Sequence, residues 1–166
     1  VIDLLVLDVD GCMTDGKIVY TNSGDELKAF NVKDGFAIVA WKRLGKKLAI
    51  ITGRTSKVVE IRAKELGVDY LYQKVKRKDE KIKELSQESS IPLSSIAAIG
   101  DDLNDYRLLK KVGLSFVPAD AVEEVKGIAD VVLSKKGGEG AVREMIEYLL
   151  KREGLYERYL AFWTES

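Results

Sequence analysis

The sequence predicts an α/β protein: a Rossmann-like parallel sheet with helices on both faces and a small β-hairpin flap after the first strand. Three observations predict it. Short apolar runs alternate with amphipathic runs. Clusters rich in Asp, Thr and Gly follow several of the apolar runs. One turn-rich segment near the start interrupts the alternation.

Ile2–Leu7 is an apolar run of strand length that ends at Asp8. Buried parallel strands read as continuous apolar runs of this kind. Lys17–Thr21 and Glu26–Phe30 then flank Asn22-Ser23-Gly24-Asp25, which predicts the hairpin over residues 17–30. Phe36, Val39, Ala40 and Leu44 recur at helical spacing, with Asp34 as the expected N-cap and Gly45 just past the end. Ala49–Ile51 is the next strand. Val58, Val59, Ile61 and Leu66 mark a helix stopped by Gly67, and Tyr70–Gln73 is a short strand. Lys78–Glu88 is a charged helix whose core contacts are Ile82 and Leu85. Ile96–Ile99 and Val131–Leu133 complete the strands. Ala141, Val142, Met145, Ile146, Leu149 and Leu150 form an apolar helical stripe, and Leu155–Trp163 reads as an aromatic-rich helix packing on this subunit or a neighbour. No repeat, low-complexity stretch or linker divides the chain, so residues 1–166 are expected to form one domain, with a C-terminal tail over 151–166.

Composition narrows the function. Lys+Arg and Asp+Glu both number 27 in 166 residues, so no basic excess points to nucleic acid or an anionic membrane. No apolar run reaches the roughly 18 residues of a membrane span. No leader is apparent, and Val1 reads as a trimmed start. Cys12 is the single cysteine, which excludes an internal disulfide and makes a reducing, cytoplasmic setting the expectation. There is no histidine, so catalytic triads, imidazole acid–base work and histidine zinc sites are absent. Any chemistry falls to carboxylates, lysine and arginine.

In an open α/β sheet, ligands bind beyond the carboxyl ends of the strands. Four polar clusters are expected there: Asp8-Val9-Asp10-Gly11, Thr52-Gly53-Arg54, Lys78, and Gly100-Asp101-Asp102-Leu103-Asn104-Asp105. Crowded carboxylates repel, and a hard oxygen-ligated cation such as Mg²⁺ neutralises them. A bound phosphate calls for hydroxyl, backbone N–H and ammonium donors, which Thr52, Gly53 and Lys78 supply. One carboxylate can attack phosphorus, and a second two residues on can protonate the leaving oxygen and then activate water. The set points to phosphoryl transfer.

Taken in order, Asp8-Val9-Asp10-Gly11-Cys12-Met13-Thr14, Thr52, Lys78 and Gly100-Asp101-Asp102 resemble the motifs of the haloacid dehalogenase-like phosphatases. Glu26 to Gly35, Ile50 to Arg54 and Gly137 to Glu144 are similar to segments of the 3-deoxy-D-manno-octulosonate 8-phosphate phosphatases, and the likeness runs from Ile2 to about Leu150. It implies a Mg²⁺-dependent enzyme without a large cap domain that acts on a sugar-acid phosphate and forms a homotetramer. It also implies that Asp8 is nucleophile and metal ligand, and that Asp10 is acid/base and a metal ligand through its carbonyl. It implies further that Asp101 is the third metal ligand and that Thr52 and Lys78 hold phosphate. Asn31, Val32, Lys33, Asp34, Gly35, Arg54 and Arg62 match substrate-contacting positions. The chain departs from the pattern at Lys74, where relatives usually carry glycine, and at Val39, where some carry a basic residue.

Blander readings stand beside these. A lone Asp-x-Asp is commonly a turn. Asp102 and Asp105 read as a helix N-cap or as partners of the ligands. Lys78 lies in a basic run, 74–83, where Lys76 and Arg77 compete with it. Arg54 and Arg62 have the alternative of being surface charges. Cys12 has no base partner and reads as a half-buried filler. Gly137-Gly138-Glu139-Gly140 reads as a loop before a helix. Among functions, the alternatives are a phosphatase for a nine-carbon sialic-type sugar acid, a phospho-Asp signalling domain, and a non-catalytic binding domain.

Overall fold

The computed structural model describes residues 1–165. At its centre β1 (Leu4–Leu7) pairs in parallel with β4 (Lys47–Ile51) on one side and β6 (Ile96–Ile99) on the other. β5 (Tyr70–Tyr72) lies outside β4, and β7 (Leu114–Val117) and β8 (Val131–Val132) lie beyond β6. The order is β5-β4-β1-β6-β7-β8, parallel throughout. The chain therefore builds one half of the sheet, returns to the centre, and builds the other. β1, flanked by β4 and β6, is the switch point, where a crevice opens at the strand ends.

Alternation along the strands sends side chains to two cores. Leu5, Leu7, Leu48, Ile50, Ile99 and Phe116 pack under α1 (Val32–Arg43), α2 (Lys57–Leu66), α6 (Ala141–Arg152) and α7 (Tyr156–Thr164). Leu4, Val6, Ala49, Ile51 and Ile96 pack under α3 (Lys78–Ser89), α4 (Tyr106–Lys111) and α5 (Glu123–Lys126). Both faces are thus covered, as a parallel sheet requires. The tail helix α7 packs on this chain, with Tyr159 buried and Trp163 edge-on to Phe36. No helix among the described residues is long and apolar enough to cross a membrane.

Three local expectations are corrected. The hairpin is present, but its strands β2 (Val19–Tyr20) and β3 (Glu26–Leu27) are two residues each, because it stands off the main sheet with only its own ladder. α1 is capped by Asn31, whose Oδ1 accepts from the Lys33 N–H at 2.8 Å. Asp34, expected at that cap, lies inside the first turn, where it faces inward and accepts from the Arg143 N–H at 3.0 Å, capping α6 instead. β7 was not anticipated, because Ser115 interrupts its apolar run. The Ser115 hydroxyl is satisfied inside the fold, accepting from the Asp130 N–H and donating to its carboxylate.

Lys74 adopts a left-handed backbone, φ 57°. Its N–H donates to the Arg54 carbonyl and the next N–H, of Val75, donates to that of Thr52, which binds the loop after β5 to the loop after β4. A side chain in that conformation costs about 1 kcal/mol, which accounts for glycine suiting this position.

Candidate active site

Past Leu7 the backbone leaves β1 through a wide turn closed by the Thr14 N–H on the Val9 carbonyl at 3.0 Å. Gly11, at φ 95°, is required in that turn. A Cβ there would lie 1.8 Å from Asp101 Oδ2, so the loop after β6 could not close over it. Gly137 meets the same turn from the other side, and its Cβ would fall 1.8 Å from the Gly11 carbonyl oxygen. The loop before α6 is therefore a buttress for the Asp8–Thr14 turn, which answers what the Gly-Gly-Glu-Gly run is for.

The turn, the loop after β4 and the loop after β6 enclose a cavity of ≈ 250 Å³ lined by Asp8, Asp10, Gly16, Thr52, Gly53, Arg54, Asp101, Asp102 and Asn104. Asp8 is 6% exposed. The buried Lys78, at the start of α3, donates to Asp8 Oδ1 at 2.9 Å and to Asp105 Oδ1 at 2.7 Å. Asp105 Oδ2 in turn accepts the Asp101 N–H at 2.9 Å, while Asp102 caps the following turn by accepting the Leu103 N–H at 2.7 Å. Asp102 is thus the cap and Asp105 the partner of Lys78. Lys76 and Arg77 are exposed, and within the basic run it is Lys78 that reaches Asp8.

Electrostatics follow from this packing. Burial, with Asp105 and Asp101 nearby, pushes the Asp8 carboxyl well above the usual range, although Lys78 opposes it. Asp101 is pushed up to about 6, chiefly by burial and also by Asp105 and Asp102. Burial pulls Lys78 down, but the two carboxylates outweigh it and hold the ammonium above an ordinary lysine. One lysine thus serves Asp8 and Asp105, so with Asp101 three carboxylates share a single ammonium. Carboxylate oxygens of Asp8 and Asp101 and the Cys12 sulfur lie within 4.8 Å of one another. A hard divalent cation fits the oxygens of that group. Cys12 is fully buried, and burial and Asp8 push its thiol well up, so it is a protonated filler rather than a nucleophile or a hard-cation ligand.

Asp10 stands at the cavity edge. Its Oδ1 accepts from Lys28 Nζ at 2.6 Å and its Oδ2 lies 3.9 Å from Arg54 Nε. Arg54 Nη2 donates to Glu26 Oε2 at 2.6 Å and to the Tyr20 hydroxyl at 3.3 Å. Lys28 and Glu26 were not singled out from the sequence. The available signal is an inverted alternation on the hairpin, with charged Glu26 and Lys28 turned in and Leu27 turned out.

The remaining expected contacts lie elsewhere in the chain. Asn31, Val32 and Lys33 line a cleft of ≈ 850 Å³ with Phe30, Lys135 and Arg143, and Asn31 Nδ2 donates to the Gly138 carbonyl. Gly35, Val39 and Arg62 line a groove of ≈ 260 Å³ with Phe36 and Trp163, and the Arg62 guanidinium lies over the Phe30 ring. The structure brings Asp8, Asp10, Thr52, Arg54, Lys78 and Asp101 together; it does not bring Asn31–Gly35 or Arg62 into that cavity.

Residues 68–146 match the family model of haloacid dehalogenase-like hydrolases. The 3-deoxy-D-manno-octulosonate 8-phosphate phosphatase of Escherichia coli K12 is 44% identical over 153 residues, 92% of this chain and 81% of that protein. A Moraxella catarrhalis 3-deoxy-D-manno-octulosonate 8-phosphate phosphatase, solved with magnesium, phosphate and the sugar acid, superposes with a TM-score of 0.96 at 39% identity, covering 98% of this chain and 94% of that one. The cobalt-bound Haemophilus influenzae phosphatase has a TM-score of 0.91 at 32% identity, covering 98% and 94%. By identity and coverage together, the chain belongs to the 3-deoxy-D-manno-octulosonate 8-phosphate phosphatases, phosphomonoester hydrolases of the haloacid dehalogenase-like group.

Proposed function

We propose that the chain hydrolyses 3-deoxy-D-manno-octulosonate 8-phosphate to the sugar acid and phosphate, through an aspartyl-phosphate, and so supplies a lipopolysaccharide precursor. The observation that carries this reading is the Lys78 ammonium 2.9 Å from the Asp8 carboxylate, at the switch point of the sheet, with Asp10 beside it. Asp8 attacks phosphorus while Asp10 protonates the departing sugar oxygen, and Asp10 then takes a proton from the water that cleaves the acyl phosphate. Thr52, the Gly53 backbone and Lys78 hold the phosphoryl oxygens, and Arg54 is available to the sugar's carboxylate. Asp8, Asp101 and the Asp10 carbonyl would hold Mg²⁺, which when bound neutralises the carboxylates and the developing charge.

The test is phosphate release from a panel of sugar phosphates with and without Mg²⁺. We expect the octulosonate ester to be the best substrate; a preference for the nine-carbon acid ester would move the substrate and keep the chemistry. Phospho-Asp that persists without turnover would favour a signalling domain. Chelation should abolish activity and Mg²⁺ should restore it, and full activity after exhaustive chelation would overturn the metal role. The melting temperature gives a second readout. Asp101 titrates near 6 in the metal-free fold against an ordinary 3.8, so across that window the folded chain keeps a proton that the unfolded chain has released. Raising the pH through it costs metal-free stability, and below it the cation must displace the proton. Mg²⁺ should therefore raise the melting temperature more at pH 7.5 than at pH 5.

The same reading takes residues 1–166 as one catalytic domain, in the cytoplasm, assembled as a homotetramer. Ile18 and Tyr20 on the hairpin are 52% and 59% exposed, and the hairpin's outer edges are unpaired. Pairing between copies would bury them and place a neighbour's surface over each site. Charged substitutions at Ile18 and Tyr20 should give smaller species by light scattering with weaker substrate binding; a folded monomer with unchanged kcat and KM would overturn the shared site.

A further inference from the structure

The hairpin reaches into the chemistry of its own chain. Glu26 and Lys28 are two residues apart on an extended segment and share a face, while Leu27 between them is 52% exposed. The Lys28 side chain is 2% exposed, a burial lysine accepts only when paired. Its partners are Asp10 Oδ1 at 2.6 Å and Glu26 Oε1 at 3.5 Å. The other Asp10 oxygen faces Arg54 Nε at 3.9 Å, and Arg54 is held by Glu26 Oε2 at 2.6 Å. Each oxygen of Asp10 therefore meets one cation, and a single hairpin carboxylate tethers both cations. The contact to Oδ1 is the short one, so Oδ1 is occupied by the lysine and Oδ2 is left to the cavity.

We propose that Lys28 is a positioning residue for Asp10, fixing the carboxylate in the orientation from which Oδ2 exchanges a proton with the ester oxygen. This rests on the reading of Asp10 as acid/base. In the first half-reaction an Asp8 oxygen–phosphorus bond forms, the phosphorus–ester oxygen bond breaks, and the proton on Asp10 Oδ2 passes to the leaving oxygen. In the second, water oxygen bonds to phosphorus, Asp10 takes the water's proton, and Asp8 leaves as carboxylate. A lysine that merely pinned the hairpin would affect all substrates alike; one that positions the acid matters only where the leaving group needs a proton.

The experiment compares single-turnover release of the leaving group, at saturating substrate, from the best alkyl phosphate of the panel and from p-nitrophenyl phosphate, whose phenolate departs unprotonated. Lys28→Met should slow alkyl release about 10²-fold and aryl release by no more than about 5-fold, within the range general acid catalysis supplies. Lys28→Arg, which restores a cation at Asp10, should recover most of the alkyl rate. Equal loss on both esters, or a shift in KM with unchanged saturated rates, overturns the proposal and leaves Lys28 as a tether. Should Lys28→Met fail to fold by circular dichroism, Lys28→Gln, whose amide stops short of Asp10, is read by the same alkyl-to-aryl ratio. Asp10→Asn in parallel separates the two readings. No alkyl-selective loss there overturns the role of Asp10 itself, whereas a selective loss there without one at Lys28 overturns only the positioning role.

Discussion

Asp8→Asn should abolish turnover while leaving the fold intact or firmer. An amide neither attacks phosphorus nor ligates a hard cation well, so the rate should fall by on the order of 10⁴ or more, as when other enzymes lose their nucleophile. The stability half follows from burial. Asp8 is nearly inaccessible, and desolvation with the neighbouring Asp105 and Asp101 makes its charge costly in the metal-free chain. Asparagine removes that charge, and Lys78 keeps Asp105 as its counter-ion at 2.7 Å. Metal-free Asp8→Asn should therefore melt at or above the wild-type temperature. Activity above a few per cent in single-turnover phosphate release would remove Asp8 as nucleophile; a large drop in melting temperature would remove the electrostatic account of its site.

Lys78→Met should cost both stability and activity. The ammonium is fully enclosed and is the cation hydrogen-bonded to Asp8 and Asp105. Removing one member of a buried ion pair typically costs about 3–5 kcal/mol, because the other is left uncompensated. At about 2–4 °C per kcal/mol for a domain of this size, the melting temperature should fall by roughly 10 °C. The loss should shrink at acidic pH, where the stranded Asp8 carboxyl, already pushed up by burial, protonates. Activity should drop about 10²–10³-fold, the usual cost of one donor to a developing oxyanion. Exposed Lys76→Met should stay within about 0.5 kcal/mol of wild type. The reverse pattern, with Lys78→Met tolerated and Lys76→Met not, would reassign the phosphate-binding cation.

Much of this was legible in the residues. Apolar runs of strand length around 2–7, 49–51 and 96–99 became the three central strands, since continuous apolar character is what double-sided burial selects. Asp8, Thr52 and Asp101 follow those strands directly, so predicting the strands amounted to predicting that the three residues meet. β7 is not legible in the sequence because Ser115 breaks its pattern and finds its partner in Asp130, 15 residues on.

The sequence by itself determined the β–α alternation, the central strands and the chemical character of the site, because burial and backbone geometry write periodic, local patterns. Only the tertiary structure decided which charges meet. Lys78 was one of several basic residues in a run until the fold carried it to Asp8, 70 positions away, and Lys28 was an ordinary hairpin lysine until the hairpin closed over Asp10. It also decided that Asp34 caps α6 rather than α1, and that Asn31–Gly35 and Arg62 line clefts apart from the cavity of Asp8. The physical reason is range. Hydrophobic periodicity is set by near neighbours along the chain, whereas an ion pair's partner is chosen by three-dimensional closure and by the desolvation that makes one particular pairing worth keeping.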